Sequence, residues 1–198
     1  KYYLFVPHDS VREKESPLIL FLHGAGERGD DGETPVKQGI GNAIKFKDGE
    51  KKFKFFVIFP QCSKKGFWNA KGADGQRAMA ILDEVMKEYK IDSKRLYLTG
   101  LSMGGAGTWS LAAAYPDKWA AIAPIAPAAF MMNNNRAEIL KGIKDAKLPM
   151  LVTQGDADEA VPVTNTRMWV DTMKELKMDY EYKEYPGVMH GPIIAAAM

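Results

Sequence analysis

Residues 95–115, RLYLTGLSMGGAGTWSLAAAY, decide how the rest of the chain is interpreted. The first five residues alternate in hydrophobicity and predict a short buried strand. Residues 100–104 form a G-x-S-x-G run, and residues 105–115 predict a helix that ends before Pro116. A serine between two glycines, after a strand and before a helix, is typical of a nucleophile elbow. Because the same pattern also occurs in glycine-rich turns without chemistry, Ser102 needs partners elsewhere in the chain.

The composition is that of an ordinary globular protein. Of the 198 residues, 46% are apolar and 26% are charged, and the formal net charge is +2. We expect one domain over residues 1–198 with one sizeable core. The lysines of residues 45–54 have no aromatic stacking pattern beside them, so no nucleic acid partner is expected. No metal or cofactor is expected either, because the sequence has no dense cluster of His, Cys and carboxylate residues.

The sequence leaves the location of the protein open. No apolar run approaches the ~20 residues that a membrane-spanning helix needs, so we expect no membrane partner. Cys62 is the only cysteine, which allows no intrachain disulfide. We expect a soluble protein that is either cytoplasmic or secreted after removal of a signal. The second alternative stays open because the chain does not begin with Met. The oligomeric state stays open.

Strands and helices alternate along the chain. Continuous apolar runs at 18–22 and 55–59 predict strands covered on both faces, and 76–89 predicts an amphipathic helix. Further strands are predicted at 2–7, 120–125, 150–153 and 180–185, and further helices at 35–46, 136–143 and 163–176. This order predicts an α/β fold with an open, mostly parallel sheet and helices on both faces. Ligands of such sheets bind at the carboxyl ends of the strands.

A general base for Ser102 has to come from three histidines. His190 follows the last predicted strand, in a loop at the carboxyl edge of the sheet, and is the best base by elimination and position. His8 lies in the opening turn. His23 adjoins a glycine-rich loop, where we expect a structural hydrogen-bonding role.

The acid of the site is expected in residues 155–162, GDADEAVP, which follow the penultimate predicted strand. In this fold the acid comes between the serine and the histidine in the sequence, and it holds the imidazole in one tautomer. From the residues alone we favour Asp158 and keep Asp156 as the alternative. The other aspartate is expected to form a turn.

The oxyanion hole needs two backbone donors. The N–H of Met103, directly after the serine, is the first. The second is expected from Ala25 or Gly26, in the glycine-rich loop after residue 22, because small residues let the main chain approach the reacting carbon closely.

The motifs HGAGERG, GLSMGG with GTW after it, GDADEAVPV and EYPGVMH resemble those of the α/β-hydrolase superfamily. They are most similar to small bacterial carboxylesterases related to carbohydrate esterase family one, to the phospholipase/carboxylesterase group and to proteins described as predicted peptidases. The resemblance runs from the first strand to His190. It implies an α/β-hydrolase fold and a triad of Ser102, Asp158 and His190, because G-x-x-D-x-x-V-P matches residues 155–162.

The resemblance also implies a site wall. The family's P-Q-C-then-W segment matches residues 60–68, so that Gln61 and Trp68 would line the site. The alternative for Trp68 is an aromatic anchor of a surface loop. A small cap region is expected at 127–149, with Phe130 and Met131 as an apolar wall or as part of the core.

The sequence as a whole predicts a serine carboxylesterase. A minimal cap implies an open cleft, which suits short-chain or aryl esters, such as a feruloyl or acetyl group on plant polysaccharide. The expected partner is therefore a small-molecule or polysaccharide-linked ester. A serine peptidase of the same fold and a non-catalytic hydrolase-fold binding protein are the alternatives.

Overall fold

The computed structural model describes residues 1–45 and 49–193. Within them the strands are β1 (Tyr2–Phe5), β2 (Ser16–Leu22), β3 (Phe56–Pro60), β4 (Ile91–Leu101), β5 (Ala121–Ile125), β6 (Leu151–Gly155) and β7 (Glu181–Tyr185). They form one sheet of seven strands in the order β1-β3-β2-β4-β5-β6-β7. Only β1 runs antiparallel to its neighbour, so the predicted open and mostly parallel sheet is confirmed.

Six α-helices occur in the described part of the chain. They are α1 (Ile40–Lys45), α2 (Gly49–Lys52), α3 (Ala73–Glu88), α4 (Met103–Ala114), α5 (Arg136–Asp145) and α6 (Val163–Glu175). The helix predicted at 35–46 is a 3-10 helix at Thr34–Lys37 followed by α1, and its last residue lies outside the described residues. Residues 194–198, which end the expected domain, also lie outside them.

The core has one part on each face of the sheet. Leu18, Leu20 and Leu22 of β2 pack into the larger cluster with α3, α4, α5 and α6. Phe21 packs on the opposite face against Val36 and Ile44 of the segment that contains α1. Successive side chains of a strand point to opposite faces, so an uninterrupted apolar strand needs helices on both.

The predicted cap region belongs to the helical layer. Residues 127–149 contain a 3-10 helix at Phe130–Asn135 and then α5, which contacts α4 and α6. Asn133 Nδ2 donates to Asn165 Oδ1 of α6 at 3.1 Å. The segment therefore packs beside the neighbouring helices.

The sheet brings the loops of the expected site together. β2 and β4 pair in parallel, with Leu22 opposite Gly100, so the loop after β2 lies beside the turn that carries Ser102. The loops after β6 and β7 leave the same carboxyl edge because these strands are also parallel. No helix in the described ranges 1–45 and 49–193 is long and apolar enough to cross a membrane.

Candidate active site

Ser102 occupies a strained turn between β4 and α4. Its backbone has φ 57° and ψ −114°, a conformation that costs a non-glycine residue about 1–3 kcal/mol. Two backbone hydrogen bonds join it to β5 and the following loop: the N–H of Ser102 donates to Ile125 O, and the N–H of Ala128 donates to Ser102 O, each at 2.9 Å. The end of β5 and the loop after it thus fix the turn that presents the serine hydroxyl.

Glycine is required on both sides of this serine. A Cβ on Gly104 would lie 1.8 Å from Leu22 O, and a Cβ on Gly100 would lie 2.5 Å from Gly104 O. These separations are far below van der Waals contact, so a side chain at either position would push the turn away from β2. The G-x-S-x-G pattern is therefore explained by the close packing of the elbow on β2.

His190 and Asp158 form a hydrogen-bonded pair. His190 Nδ1 lies 2.7 Å from Asp158 Oδ2, and the carboxylate is fully buried. Asp158 Oδ1 accepts the N–H groups of Ala160 and Val161 at 2.9 Å and 2.7 Å. Gln154 Nε2 donates to Oδ2 at 3.0 Å. The acid is thus held by its own loop and presents one oxygen to the imidazole.

Asp156 has a different position. It is exposed, and its Oδ1 accepts the N–H of Gly187 at 2.6 Å. This bond ties the loop after β6 to the turn that precedes His190. Of the two aspartates considered from the sequence, the structure brings Asp158 to the histidine and uses Asp156 to hold the turn.

Gln154 is a residue that the sequence analysis missed. Its side chain is fully buried at the end of β6, and its Oε1 accepts the Thr166 hydroxyl at 2.8 Å. With one end fixed by α6, the amide points its N–H group at Asp158. The sequence signal for this role was a polar residue at the end of an apolar strand, directly before the loop that contains Asp158.

A cavity of about 900 Å³ lies at this edge of the sheet. Ser102 and His190 line it, together with residues 24–27 and four residues between positions 38 and 43. Among the described residues, His190 makes its hydrogen bond to Asp158, and none joins it to Ser102. Such catalytic bonds are often long before substrate binds and tighten in the complex.

The expected oxyanion donors belong to segments that line this cavity or directly follow a residue that lines it. Met103 begins α4, where N–H groups have no intrahelical acceptor; the first bond of this helix is Ala106 N–H to Ser102 O at 3.1 Å. Ala25 and Gly26 lie on the cavity wall in a 3-10 turn, Ala25–Glu27. The loop is close to the serine: a Cβ on Gly24 would lie 3.7 Å from Ser102 Cβ.

Glu27 ends this turn and also lines the cavity, which the sequence analysis did not predict. Only 6% of its surface is exposed, and Gln38 Nε2 donates to its Oε1 at 2.6 Å. Burial raises the pKa of the Glu27 carboxyl, against the opposing effects of nearby backbone N–H groups and His190. The sequence signal for this position is an acidic residue in a glycine-rich loop at the carboxyl edge of the sheet.

His23 has the structural role expected from the sequence. Its Nδ1 lies 2.6 Å from Gly24 O, and its Nε2 accepts the N–H of Cys62 at 3.0 Å. These partners require a neutral ring protonated at Nδ1. Burial lowers the pKa of His23 to about 4, in agreement with that neutral state.

Gln61 and Trp68 do not reach the cavity. Both are buried behind the loop after β2. Gln61 Oε1 accepts the N–H of Gly32 at 2.7 Å, and Trp68 Nε1 donates to His23 O at 3.0 Å. Their polar groups satisfy the backbone of the glycine-rich loop, so they act on the site from behind. The anchor alternative for Trp68 describes its position better than a site wall.

Phe130 and Met131 also lie away from the cavity wall. They are 46% and 90% exposed in the 3-10 helix that leads into α5. These exposed fractions show that both side chains face solvent. The structure therefore gives neither the apolar wall nor the core position that the sequence analysis considered.

Comparisons with known proteins agree with this fold. A model described as "Dienelactone hydrolase family" matches residues 59–194. The bifunctional acetylxylan esterase/xylanase XynS20E of Neocallimastix patriciarum is 36% identical over 111 residues, which are 55% of this chain and 15% of that protein. The chain thus spans a small part of this relative.

Solved structures extend the comparison to nearly the whole chain. A thermostable esterase is 32% identical with a TM-score of 0.81, covering 98% of this chain and 55% of that one. Est1E from Butyrivibrio proteoclasticus, solved with ferulic acid bound, is 17% identical with a TM-score of 0.64, covering 96% and 86%. At this low identity the second similarity concerns the fold alone.

Proposed function

Because the chain belongs to the dienelactone hydrolase family of α/β-hydrolases, we propose that it is a serine carboxylesterase acting through Ser102, His190 and Asp158. One observation carries this proposal: His190 forms a 2.7 Å hydrogen bond with the buried Asp158 and lines the same cavity as Ser102, whose backbone is strained. A strained, half-buried serine that lines the same cavity as an oriented imidazole is the arrangement that nucleophilic catalysis needs.

Acylation begins with attack of Ser102 Oγ on the ester carbonyl carbon. His190 takes the hydroxyl proton as the C–O bond forms, and Asp158 stabilises the resulting imidazolium without itself being protonated. The negative charge that develops on the carbonyl oxygen is stabilised by the N–H of Met103 and by that of Ala25 or Gly26. The tetrahedral intermediate then collapses, His190 gives its proton to the leaving alcohol, and an acyl-serine remains.

Deacylation repeats these steps with water. His190 removes a proton from a water molecule as its oxygen attacks the acyl carbon, and the same backbone N–H groups hold the oxyanion. The imidazolium then returns its proton to Ser102 Oγ, which releases the carboxylic acid and restores the free enzyme. One base and one set of donors therefore serve both halves of the reaction.

We propose small-molecule or polysaccharide-linked esters with short-chain or aryl acyl groups as substrates. The volume of about 900 Å³ and the small side chains of Ala25, Ala43 and Ala160 on the wall leave room for an aromatic acyl group. The acetylxylan esterase relative and the ferulic acid complex of Est1E are consistent with acetyl and feruloyl esters.

A substrate panel tests this proposal. We expect turnover of 4-nitrophenyl acetate and butyrate and of feruloyl or acetyl sugars, but not of peptides. A fluorophosphonate should label the wild-type protein and should not label Ser102→Ala, which serves as the matched control. If no ester turns over and no label is attached to Ser102, the proposal is refuted. Faster cleavage of peptides than of esters would indicate a peptidase instead.

A further inference from the structure

Glu27 is an unusual residue for the wall of this cavity. Most of its neighbours there are glycine or alanine, yet Glu27 places a carboxylate in the wall with 6% of its surface exposed. A buried carboxylate without a strong partner is costly, and such groups in a cleft often contact a ligand. The catalytic steps described above make no use of it.

The carboxylate retains hydrogen-bonding capacity. An ionised carboxylate has about four acceptor positions; Gln38 Nε2 fills one of them at 2.6 Å, and the backbone N–H groups of Gly24 and Glu27 also act on the carboxylate. Within residues 1–45 and 49–193 no salt bridge involves Glu27, although nearby His190 lowers the pKa of its carboxyl. About one acceptor position therefore remains for a hydrogen-bond donor of a ligand in the cavity.

Two amides extend this polar part of the wall. Gln38 and Asn42 line the same cavity, at the end of the 3-10 helix Thr34–Lys37 and in α1. Asn42 is exposed, and in the described part of the chain its side-chain amide makes no hydrogen bond. An amide both donates and accepts, and Glu27 accepts, so together they match a group that does both.

A hydroxyl is the group that fits this set. An ammonium ion only donates hydrogen bonds, so it would leave the side-chain N–H group of Asn42 without an acceptor. A hydroxyl can donate to the carboxyl or to Gln38 Oε1 and accept from the amide N–H groups. Its recognition therefore does not depend on whether Glu27 is ionised.

We propose that Glu27, Gln38 and Asn42 form a hydroxyl-binding subsite, and that the preferred substrates are esters with a free hydroxyl near the scissile bond. This inference rests on the esterase function proposed above. It assigns a specificity role to the part of the cavity wall that the loop after β2 and the segment leading into α1 provide.

Two matched pairs of esters test the subsite. Propyl butyrate and 2,3-dihydroxypropyl butyrate differ by hydroxyls on the alcohol side. The 4-nitrophenyl esters of butyrate and 3-hydroxybutyrate differ by a hydroxyl on the acyl side. We expect wild-type kcat/KM to favour the hydroxylated member of at least one pair by roughly tenfold or more, as expected for a hydrogen bond to a buried polar group.

Variants locate the preference. Glu27→Leu should bring the ratio of kcat/KM within the preferred pair close to one. Asn42→Ala, at an exposed position, should reduce the same ratio and provides a second test if Glu27→Leu does not fold. Glu33→Ala is the matched control, because this exposed glutamate lies outside the cavity and its loss should leave the ratio unchanged.

The outcomes separate this inference from the esterase proposal. If wild type hydrolyses both members of each pair equally well, the subsite is refuted and the esterase function stands. The same holds if Glu27→Leu lowers kcat/KM equally for both members, because the carboxylate would then act on the loop or on His190. If none of the four esters turns over and a fluorophosphonate does not label Ser102, the esterase function itself fails.

Discussion

The loops after β2 and β7 each carry a histidine, and the surroundings of the two rings differ at both nitrogens. His23 is 1% exposed, and backbone groups of Gly24 and Cys62 occupy its two nitrogens. His190 lies at the cavity and uses Nδ1 for Asp158. Among the described residues no hydrogen bond occupies its Nε2, which is the nitrogen that a general base needs.

This difference shows that the partners of an imidazole decide its role. A ring with both nitrogens bonded to the backbone has no site left for proton transfer, and burial keeps it neutral. A ring that has a carboxylate on one side and a cavity on the other can accept a proton and be stabilised as the cation. Position in the sequence next to a conspicuous motif, as for His23 in HGAGERG, does not distinguish the two cases.

The largest expected effect is a loss of activity on substitution of His190 that substitution of His23 does not cause. His190→Ala should lower kcat for 4-nitrophenyl butyrate by roughly 10⁴–10⁶-fold with little change in melting temperature, because the variant lacks only the proposed general base. His23→Gln, whose amide can bond to the same backbone groups, should keep most of the activity. A loss of similar size in both variants would contradict the comparison.

The next comparison concerns the two aspartates of the loop after β6, of which we expect only Asp158 to affect catalysis strongly. Asp158→Asn should reduce kcat by about 10⁴-fold, because an amide can favour the wrong imidazole tautomer. Asp156→Asn keeps an acceptor for the N–H of Gly187 and should change kcat by less than roughly tenfold. Steady-state kinetics of both variants decide the matter, and a larger loss for the Asp156 variant would reverse the assignment.

The pH dependence of stability probes His23. Its pKa is about 4 in the folded protein and 6.5 when unperturbed, so the unfolded chain binds more protons between these values. The free energy of unfolding contributed by this ring is therefore complete above pH 6.5 and is lost as the pH falls toward 4, by up to about 3 kcal/mol.

Urea unfolding at pH 7 and pH 4.5 measures this effect. Wild type should lose more stability over that interval than His23→Gln, which has no titrating ring at this position. Other groups titrate in both proteins, so the difference between them isolates His23. Equal losses in the two proteins would show that the ring does not remain neutral in the folded state.

The smallest effect is expected at Trp68, behind the His23 loop. Trp68→Phe removes the hydrogen bond to His23 O and part of a buried ring, which should reduce the free energy of unfolding by about 1–3 kcal/mol. Because Trp68 lies away from the cavity, KM for 4-nitrophenyl butyrate should not change. An increase in KM with unchanged stability would return this residue to the substrate wall.

Apolar patterns predicted the fold well, since an uninterrupted apolar strand such as β2 requires cover on both faces. The α/β-hydrolase fold and the esterase-type family resemblance are confirmed. Strand limits were harder to predict. β4 begins at Ile91, earlier than the predicted 95, because pairing of Ser16 with Ile91 continues the sheet through polar residues. Such pairing depends on a distant segment and leaves no local pattern.

The candidate site was predictable where motifs define it. Ser102, Asp158 and His190 remain predictions as catalytic residues, and the geometry described above supports them. The residues that line the cavity were harder to predict from the sequence, because burial depends on contacts between distant segments. The motif allowed Trp68 to be either a wall residue or a loop anchor, and only the contact of its indole with His23 O distinguishes the two. Glu27 lies in a loop rich in glycine, and its burial depends on segments that are distant in the sequence.

The hydrogen bonds around the elbow have a consequence for heat inactivation. The amides of Ser102, Ala126 and Ala128 donate to Ile125, Thr153 and Ser102, so the turn that carries Ser102 is tied to β5 and, through Ala126, the end of β5 is tied to β6. These amides should exchange with deuterium only when the central sheet separates. Loss of activity on heating should therefore coincide with global unfolding, and a partly unfolded but still active enzyme should not accumulate.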